Sequence, residues 1–139
     1  MTQLELILTV GLPRSGKTTW ALQRAQDLGT PIVCPDAIRL ALHGQRFQPL
    51  AESFVWAIAK IMVRALFAAG HRTVIVDATN TTRKRRDDWR DPTWHLSFHE
   101  LDVPAEECRR RARLLGDGEI IAVIDQMAAK FEPVAADER

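Results

Sequence analysis

The sequence predicts an α/β domain built on a parallel sheet, and three observations carry that expectation. Short β-favouring runs alternate with longer helical patterns along the 139 residues. The first run, Leu4 to Val10, stops at Gly11 and leads into a helical stretch from Lys17. Two later runs end close to aspartates, Asp36 and Asp77. Strands separated by helices imply right-handed crossovers, and hence a sheet of about four to five parallel strands with helices on both faces. Ligands of such sheets bind beyond the carboxyl ends of the strands, where Gly11, Asp36 and Asp77 all fall.

Each element has its own signal. Leu4 to Val10 is a continuous apolar run, the pattern of a strand buried on both faces. Lys17 to Leu28 has helical composition and stops at Gly29, a C-cap residue. Pro31 to Cys34 is a short strand that Pro35 ends, and Asp36 to Leu42 is a helix closed by Gly44. Gly44 to Pro49 is a loop. Glu52 to Ala69 is the longest helical pattern, with Phe54, Ile58, Ile61, Ala65 and Leu66 near one face. Thr73 to Val76 is β-branched, Thr81 to Arg90 is polar and helical, and Trp94 to Leu101 alternates weakly as a strand. An arginine-rich helix follows Pro104, breaks around Gly116 and Gly118, and gives way to a last helix from about Glu119 to Phe131 and a polar tail. No repeat or linker divides the chain, so residues 1–139 read as one domain with a lid at about 105–118.

Composition narrows the function classes. With 46% apolar residues the chain can build a core, and a formal net charge of +1 gives it no global polyanion-binding character. There is no basic segment ahead of an apolar stretch and no apolar run of spanning length, so a cytoplasmic protein without a membrane partner is expected. Cys34 and Cys108 stand apart, as buried or partly buried thiols do in a reducing compartment. The histidines have no metal-ligand spacing. Oligomeric state leaves no signature here.

Gly11-Leu12-Pro13-Arg14-Ser15-Gly16-Lys17-Thr18 fits the phosphate-binding pattern G-x-x-x-x-G-K-[ST], in the strand–loop–helix context that supports it. Such a loop wraps a polyanion with backbone N–H groups, so Gly11 and Gly16 avoid crowding and unfavourable dihedrals while Pro13, Arg14 and Ser15 complete the bend. The positive end of the following helix, including Thr19, faces the phosphates. Lys17 reaches the β- and γ-oxygens, and Thr18 supplies a hydroxyl to Mg²⁺. The expected cofactors are ATP, or another nucleoside triphosphate, and Mg²⁺.

Phosphoryl transfer to a hydroxyl also needs a proton acceptor and cations that align donor and acceptor. Asp36 and Arg39, three residues apart at the start of a helix, suit a general base and an anion clamp; they equally suit an N-cap and a surface arginine. Asp77, after Val74-Ile75-Val76, suits a carboxylate that orients the Mg²⁺ waters, holds arginines or caps the next segment.

The stretch from Leu8 to Ala21 resembles the start of the bacteriophage polynucleotide 5′-kinase domain. The similarity continues through Asp36-Ala37-Ile38-Arg39, Val74 to Asn80, Leu101-Asp102-Val103-Pro104, an arginine-rich lid and a helix around Ile121 to Met127. It implies a P-loop kinase fold, Asp36 as general base for a 5′-hydroxyl, Arg39 on the acceptor's phosphate, and Lys17 and Thr18 at the donor phosphates and metal. The family's aspartate-threonine-asparagine step stands here as Ala78-Thr79-Asn80, with the carboxylate one residue earlier at Asp77. In the lid, Arg111 falls on the first family arginine and Leu115 on the second, for which Arg113 substitutes if the register shifts. The acceptor implied is a nucleic-acid 5′ end, DNA or RNA. A small-molecule kinase using the same machinery and a non-catalytic ATP-binding module are the rival readings.

Two basic clusters remain. Arg83-Lys84-Arg85-Arg86 suits either a nucleic-acid backbone or a solvated face countered by Asp87 and Asp88. Arg109 to Arg113 suits a lid that closes on a triphosphate, or a surface helix. Trp20 lies on the P-loop helix, where packing is expected; Trp56 and Trp89 suit either packing or base stacking.

Overall fold

The computed structural model describes residues 3–47 and 49–139. Four strands, β1 (Leu4–Val10), β2 (Ile32–Val33), β3 (Thr73–Val76) and β4 (Trp94–Glu100), form one sheet in the order β2-β3-β1-β4. Every pairing is parallel: β1 lies between β3, with Leu6 opposite Val74, and β4, with Leu6 opposite Leu96. Among the described residues six α-helices connect or follow them: α1 (Lys17–Leu28), α2 (Pro35–His43), α3 (Glu52–Ala68), α4 (Arg83–Asp87), α5 (Ala105–Leu114) and α6 (Glu119–Ala129). The expected α/β class, with a parallel sheet flanked by helices, is therefore present. The loop expected at 44–49 includes Gln48, which lies outside the described residues.

The main core lies on one face of the sheet. Leu6 and Leu8 of β1, Val74 and Val76 of β3, Val33 and Leu96 pack with Val55, Ala59, Val63 and Phe67 of α3. Ile75 points the opposite way along the pleat and is also fully buried, so the second face is covered as well. A smaller cluster of Leu12, Cys108, Ala112 and Ile124 joins the P-loop to α5 and α6.

The face expected for the longest helix is corrected. Its buried stripe is Val55, Ala59, Val63 and Phe67, whereas Phe54 and Ile61 are exposed. The helix is apolar around most of its circumference, so helical spacing supports two stripes; a four-residue step aligned with the sheet selects the inner one. The polar helix expected over 81–90 shortens to α4, capped by Thr82, whose hydroxyl accepts from Arg85 N–H. The expected polar tail forms a 3₁₀ turn at Ala136–Glu138, and the Glu138 side chain is buried. Among the described residues no helix is long and apolar enough to cross a membrane.

Candidate active site

The P-loop runs from the end of β1 to the start of α1 and is braced from below. Thr9 Oγ1 donates to the Ala78 carbonyl at 2.8 Å and accepts from Ala78 N–H at 3.1 Å. Asn80 Nδ2 donates to the Thr9 carbonyl at 2.8 Å, and Gly11 N–H donates to the Thr79 carbonyl at 3.0 Å. Ala78-Thr79-Asn80, which stands where the resembled family has aspartate-threonine-asparagine, thus fixes the root of the loop. Gly11 is there for space: a Cβ would lie 2.6 Å from Ser15 Oγ and 3.1 Å from the Leu101 carbonyl. Gly16, at φ 100°, turns the chain into α1 in a conformation other residues rarely adopt.

Lys17 and Thr18 stand at the head of α1. The Lys17 side chain is buried, and its Nζ donates to the Leu12 carbonyl at 2.7 Å. Burial pushes its pKa down, opposed by the charge of Asp77. Its ammonium is thus held inside the loop, tied to a loop carbonyl and near the space that a phosphate would take. Thr18 Oγ1 donates to Asp77 Oδ2 at 2.8 Å. Burial raises the Asp77 pKa, while the Thr18 hydrogen bond and the Lys17 charge pull it down. A hydroxyl and a carboxylate from the ends of two neighbouring elements are hard oxygen donors of the kind that would suit Mg²⁺, directly or through its waters. Thr19 lies exposed on the first turn of α1, and Pro13 is half-buried within the loop.

After β2, Pro35 starts α2 and places Asp36 in the first turn. The Asp36 side chain is 74% exposed, and its charge acts on both Lys17 and Asp77. Asp36 therefore lies within electrostatic range of the P-loop. Arg39 Nη1 donates to Asp36 Oδ1 at 2.6 Å. The same guanidinium donates from Nε and Nη2 to both oxygens of Glu52, at 2.8 and 2.7 Å. Arg39 is only 14% exposed, so its first task is to hold Asp36 against a fixed post. Glu52, at the start of α3, is the residue that sequence reasoning missed; its only signal was an acid opening the next helix.

The lid candidates separate. Arg111 Nη1 donates to the Arg14 carbonyl at 3.2 Å and its Nε to Glu107 at 3.2 Å, so this side chain reaches the P-loop. Arg113 is exposed, with no hydrogen bond or ion pair among the described residues. Two positions further on, α5 has turned by about 200°, so Arg113 does not share with Arg111 the contact to the Arg14 carbonyl. The basic run on α4 is not one patch either. Arg86 is fully buried on Glu138, Arg83 pairs with Asp137, and Arg85 stacks over the Trp56 ring at 4.2 Å. Trp20 stacks on His99 at 3.8 Å, and Trp89 and Trp94 are core residues.

This arrangement is that of a kinase-type P-loop nucleotide-binding protein. The family model described as an AAA domain matches residues 6–134, and the chain belongs to that family. No curated protein matches it. Among solved structures, a chain of the Pnkp1/Rnl/Hen1 complex is 28% identical over 80% of this chain and 40% of its own length, with a TM-score of 0.72. A chain of the Pnkp1/Rnl/Hen1 RNA repair complex is 21% identical, with 95% of this chain and 47% of that one covered and a TM-score of 0.71. A sugar kinase from Janibacter sp. HTCC2649 is 23% identical, with coverages of 97% and 81% and a TM-score of 0.71. The chain spans less than half the length of the two complex-derived chains.

Proposed function

We propose that this chain transfers the γ-phosphoryl group of ATP to a hydroxyl, and that the acceptor is the 5′ end of a polynucleotide. The observation that carries this reading is the position of Asp36: an exposed carboxylate, held by Arg39, within electrostatic range of Lys17 and Asp77. Nucleotide binding alone has no use for such a group.

In this reading Lys17 and the backbone N–H groups of Gly11 to Thr18 hold the donor phosphates. Thr18 would hold Mg²⁺ through its hydroxyl and Asp77 would orient the ion's waters, and the ion would offset the charge of the phosphates. Asp36 accepts the proton of the acceptor hydroxyl, and Arg39 holds its carboxylate in place. Arg39 commits three of its five N–H donors to Asp36 and Glu52, leaving two for an acceptor phosphate. Arg111, at the Arg14 carbonyl, is the lid arginine nearest the transferred group. The polynucleotide acceptor is supported by the Asp36-x-x-Arg39 step and the likeness to chains of the Pnkp1/Rnl/Hen1 complex, in one case described as an RNA repair complex. A small-molecule acceptor is favoured by a different observation, the match to a sugar kinase over 97% of this chain and 81% of that one.

One transfer assay separates the readings. The chain is incubated with γ-labelled ATP and Mg²⁺ and offered 5′-hydroxyl oligonucleotides, mononucleotides and a panel of sugars. Label on the oligonucleotide supports the proposal, label only on a small molecule supports the second reading, and no transfer removes both. Asp36→Asn is expected to lose transfer by about 10²- to 10⁴-fold while still binding ATP. Undiminished turnover in that variant removes Asp36 as the base.

A further inference from the structure

We propose that Arg14 and Arg46 form a phosphate-binding pair at the mouth of the P-loop, and that the Asp117 carboxylate is its resting occupant. Three segments meet here. Arg14 belongs to the P-loop, Arg46 to the segment after α2, and Asp117 to the turn between α5 and α6. Arg14 Nη2 donates to Asp117 Oδ2 at 2.6 Å. Arg46 donates from Nη1 to Oδ1 at 2.8 Å and from Nη2 to Oδ2 at 2.6 Å. Both oxygens of one carboxylate are thus taken by two guanidinium groups, the fork geometry that arginine offers to carboxylate and phosphate alike.

The position is built rather than incidental. Asp117 N–H donates to the Ala112 carbonyl at 2.8 Å, and Gly116 precedes it at φ 68°, so the turn aims the side chain back at the loop. Its carboxylate is only 12% exposed. Arg14 adopts φ 67°, where glycine would be less strained. What arginine supplies at this position is the side-chain contact with Asp117. Backbone strain of this kind collects where a site needs a particular side chain in a particular place.

Charge identifies the ligand class. Two guanidinium groups meet one carboxylate, and the further acids whose charge acts on Arg46 are Glu119 and Asp36. A phosphate group carries more charge and more acceptor oxygens than the carboxylate it would displace, and the P-loop that holds Arg14 is a phosphate cradle. When a triphosphate settles on that loop, Arg14 and Arg46 exchange Asp117 for phosphate, and the α5–α6 turn is released from the loop. Asp117 thus weakens ligand binding by stabilising the empty site. The inference rests on the donor half of the proposed function and not on the identity of the acceptor.

The test is a calorimetric titration of the full chain and of Asp117→Asn with Mg²⁺–ATP, Mg²⁺–ADP and a 5′-hydroxyl oligonucleotide. The variant is expected to bind ATP about fivefold more tightly, since the competing occupant is gone. Adding Arg46→Gln to Asp117→Asn reverses that gain. A gain confined to ATP assigns the pair to the terminal phosphate, an equal gain for ADP assigns it to the β-phosphate, and a gain only for the oligonucleotide overturns the proposal. Unchanged or weaker binding of all three overturns the proposal. Asp117→Ser, with its melting temperature, guards against misfolding: if both variants lose the fold, or melt lower without tighter binding, the contact is a structural strut and the proposal fails. Because the readout is binding, a failed transfer assay leaves this result independent.

Discussion

Arg39 and Glu52, 13 positions apart, meet through two parallel hydrogen bonds of 2.8 and 2.7 Å, and the same guanidinium carries Asp36 at 2.6 Å. The Arg39 side chain is largely buried while Asp36 projects into solvent, so the first turn of α3 sets the aim of a carboxylate on α2. The Arg39 bond holds the Glu52 pKa down, as expected for a partner that stays ionised. Glu52→Gln removes half of this two-pronged hold, since an amide offers one acceptor oxygen in place of two. Transfer is expected to fall about tenfold through kcat, of the order of one lost charge-assisted hydrogen bond. The KM for ATP stays unchanged, because Glu52 lies on the acceptor side. Equal losses in kcat and in ATP affinity would show that Glu52 supports the P-loop and not Asp36.

The difference between what was legible in the sequence and what was not follows the range of the interactions. The P-loop, its strand and its helix are local: a glycine bend between an apolar run and a helical stretch specifies them within 25 residues of chain, from Leu4 to Leu28. Asp36 and Asp77 were legible for the same reason, since strand ends in a parallel sheet converge. Glu52 was not, because its significance arises only when α3 packs beside α2. The buried face of α3 was misread because Phe54 and Ile61 obey helical spacing as well as Val55 and Val63 do; only the sheet tells them apart. The arginine run on α4 was ambiguous for a similar reason. Its partners, Asp137 and Glu138, lie about fifty residues away in sequence, and no local pattern announces them.

That distant pairing is itself a stability statement. Arg86 and Glu138 both have no exposed side-chain surface, and they meet at 2.8 Å. Arg86 also donates to the carbonyls of Asn80 and Pro133, and Glu138 accepts from Ala135 N–H. A buried pair is costly to break from one side, because the remaining charge stays desolvated. Glu138→Gln is expected to destabilise the chain by about 3 kcal/mol, seen as a melting temperature lower by roughly 10 °C. Replacing both partners by apolar residues, Arg86→Met with Glu138→Leu, should cost less than Glu138→Gln alone, since no buried charge is stranded. Calorimetric melts of the three proteins decide this, and a double variant less stable than the single one would contradict it. Because Arg86 also grips the Asn80 carbonyl, Glu138→Gln should loosen the brace beneath the P-loop and weaken ATP binding as well.

Asp117 gives the chain a defined acid sensitivity. Its hydrogen bonds to Arg46 and Arg14 hold the pKa down to about 2, from an ordinary value of 3.8. A carboxylate with a depressed folded-state pKa binds fewer protons folded than unfolded. Its contribution is therefore complete above the unfolded value and declines as pH falls through the folded one. For Asp117 the window runs from about pH 4 down to about pH 2. Asp91 and Glu107, each also held down to about 2, titrate in the same window, so the wild-type melt alone does not isolate Asp117. The informative quantity is the difference between wild type and Asp117→Asn, in which the other two carboxylates cancel. That difference should favour the wild type at pH 5 and shrink steadily toward pH 2, where a protonated Asp117 and an asparagine carry the same charge. A difference that stays constant across the range would mean that the two arginines do not hold an ionised Asp117 in solution. High salt should also shrink the difference at pH 5, though less than for the exposed pair between Arg110 and Glu107, because the Asp117 carboxylate is mostly shielded from water.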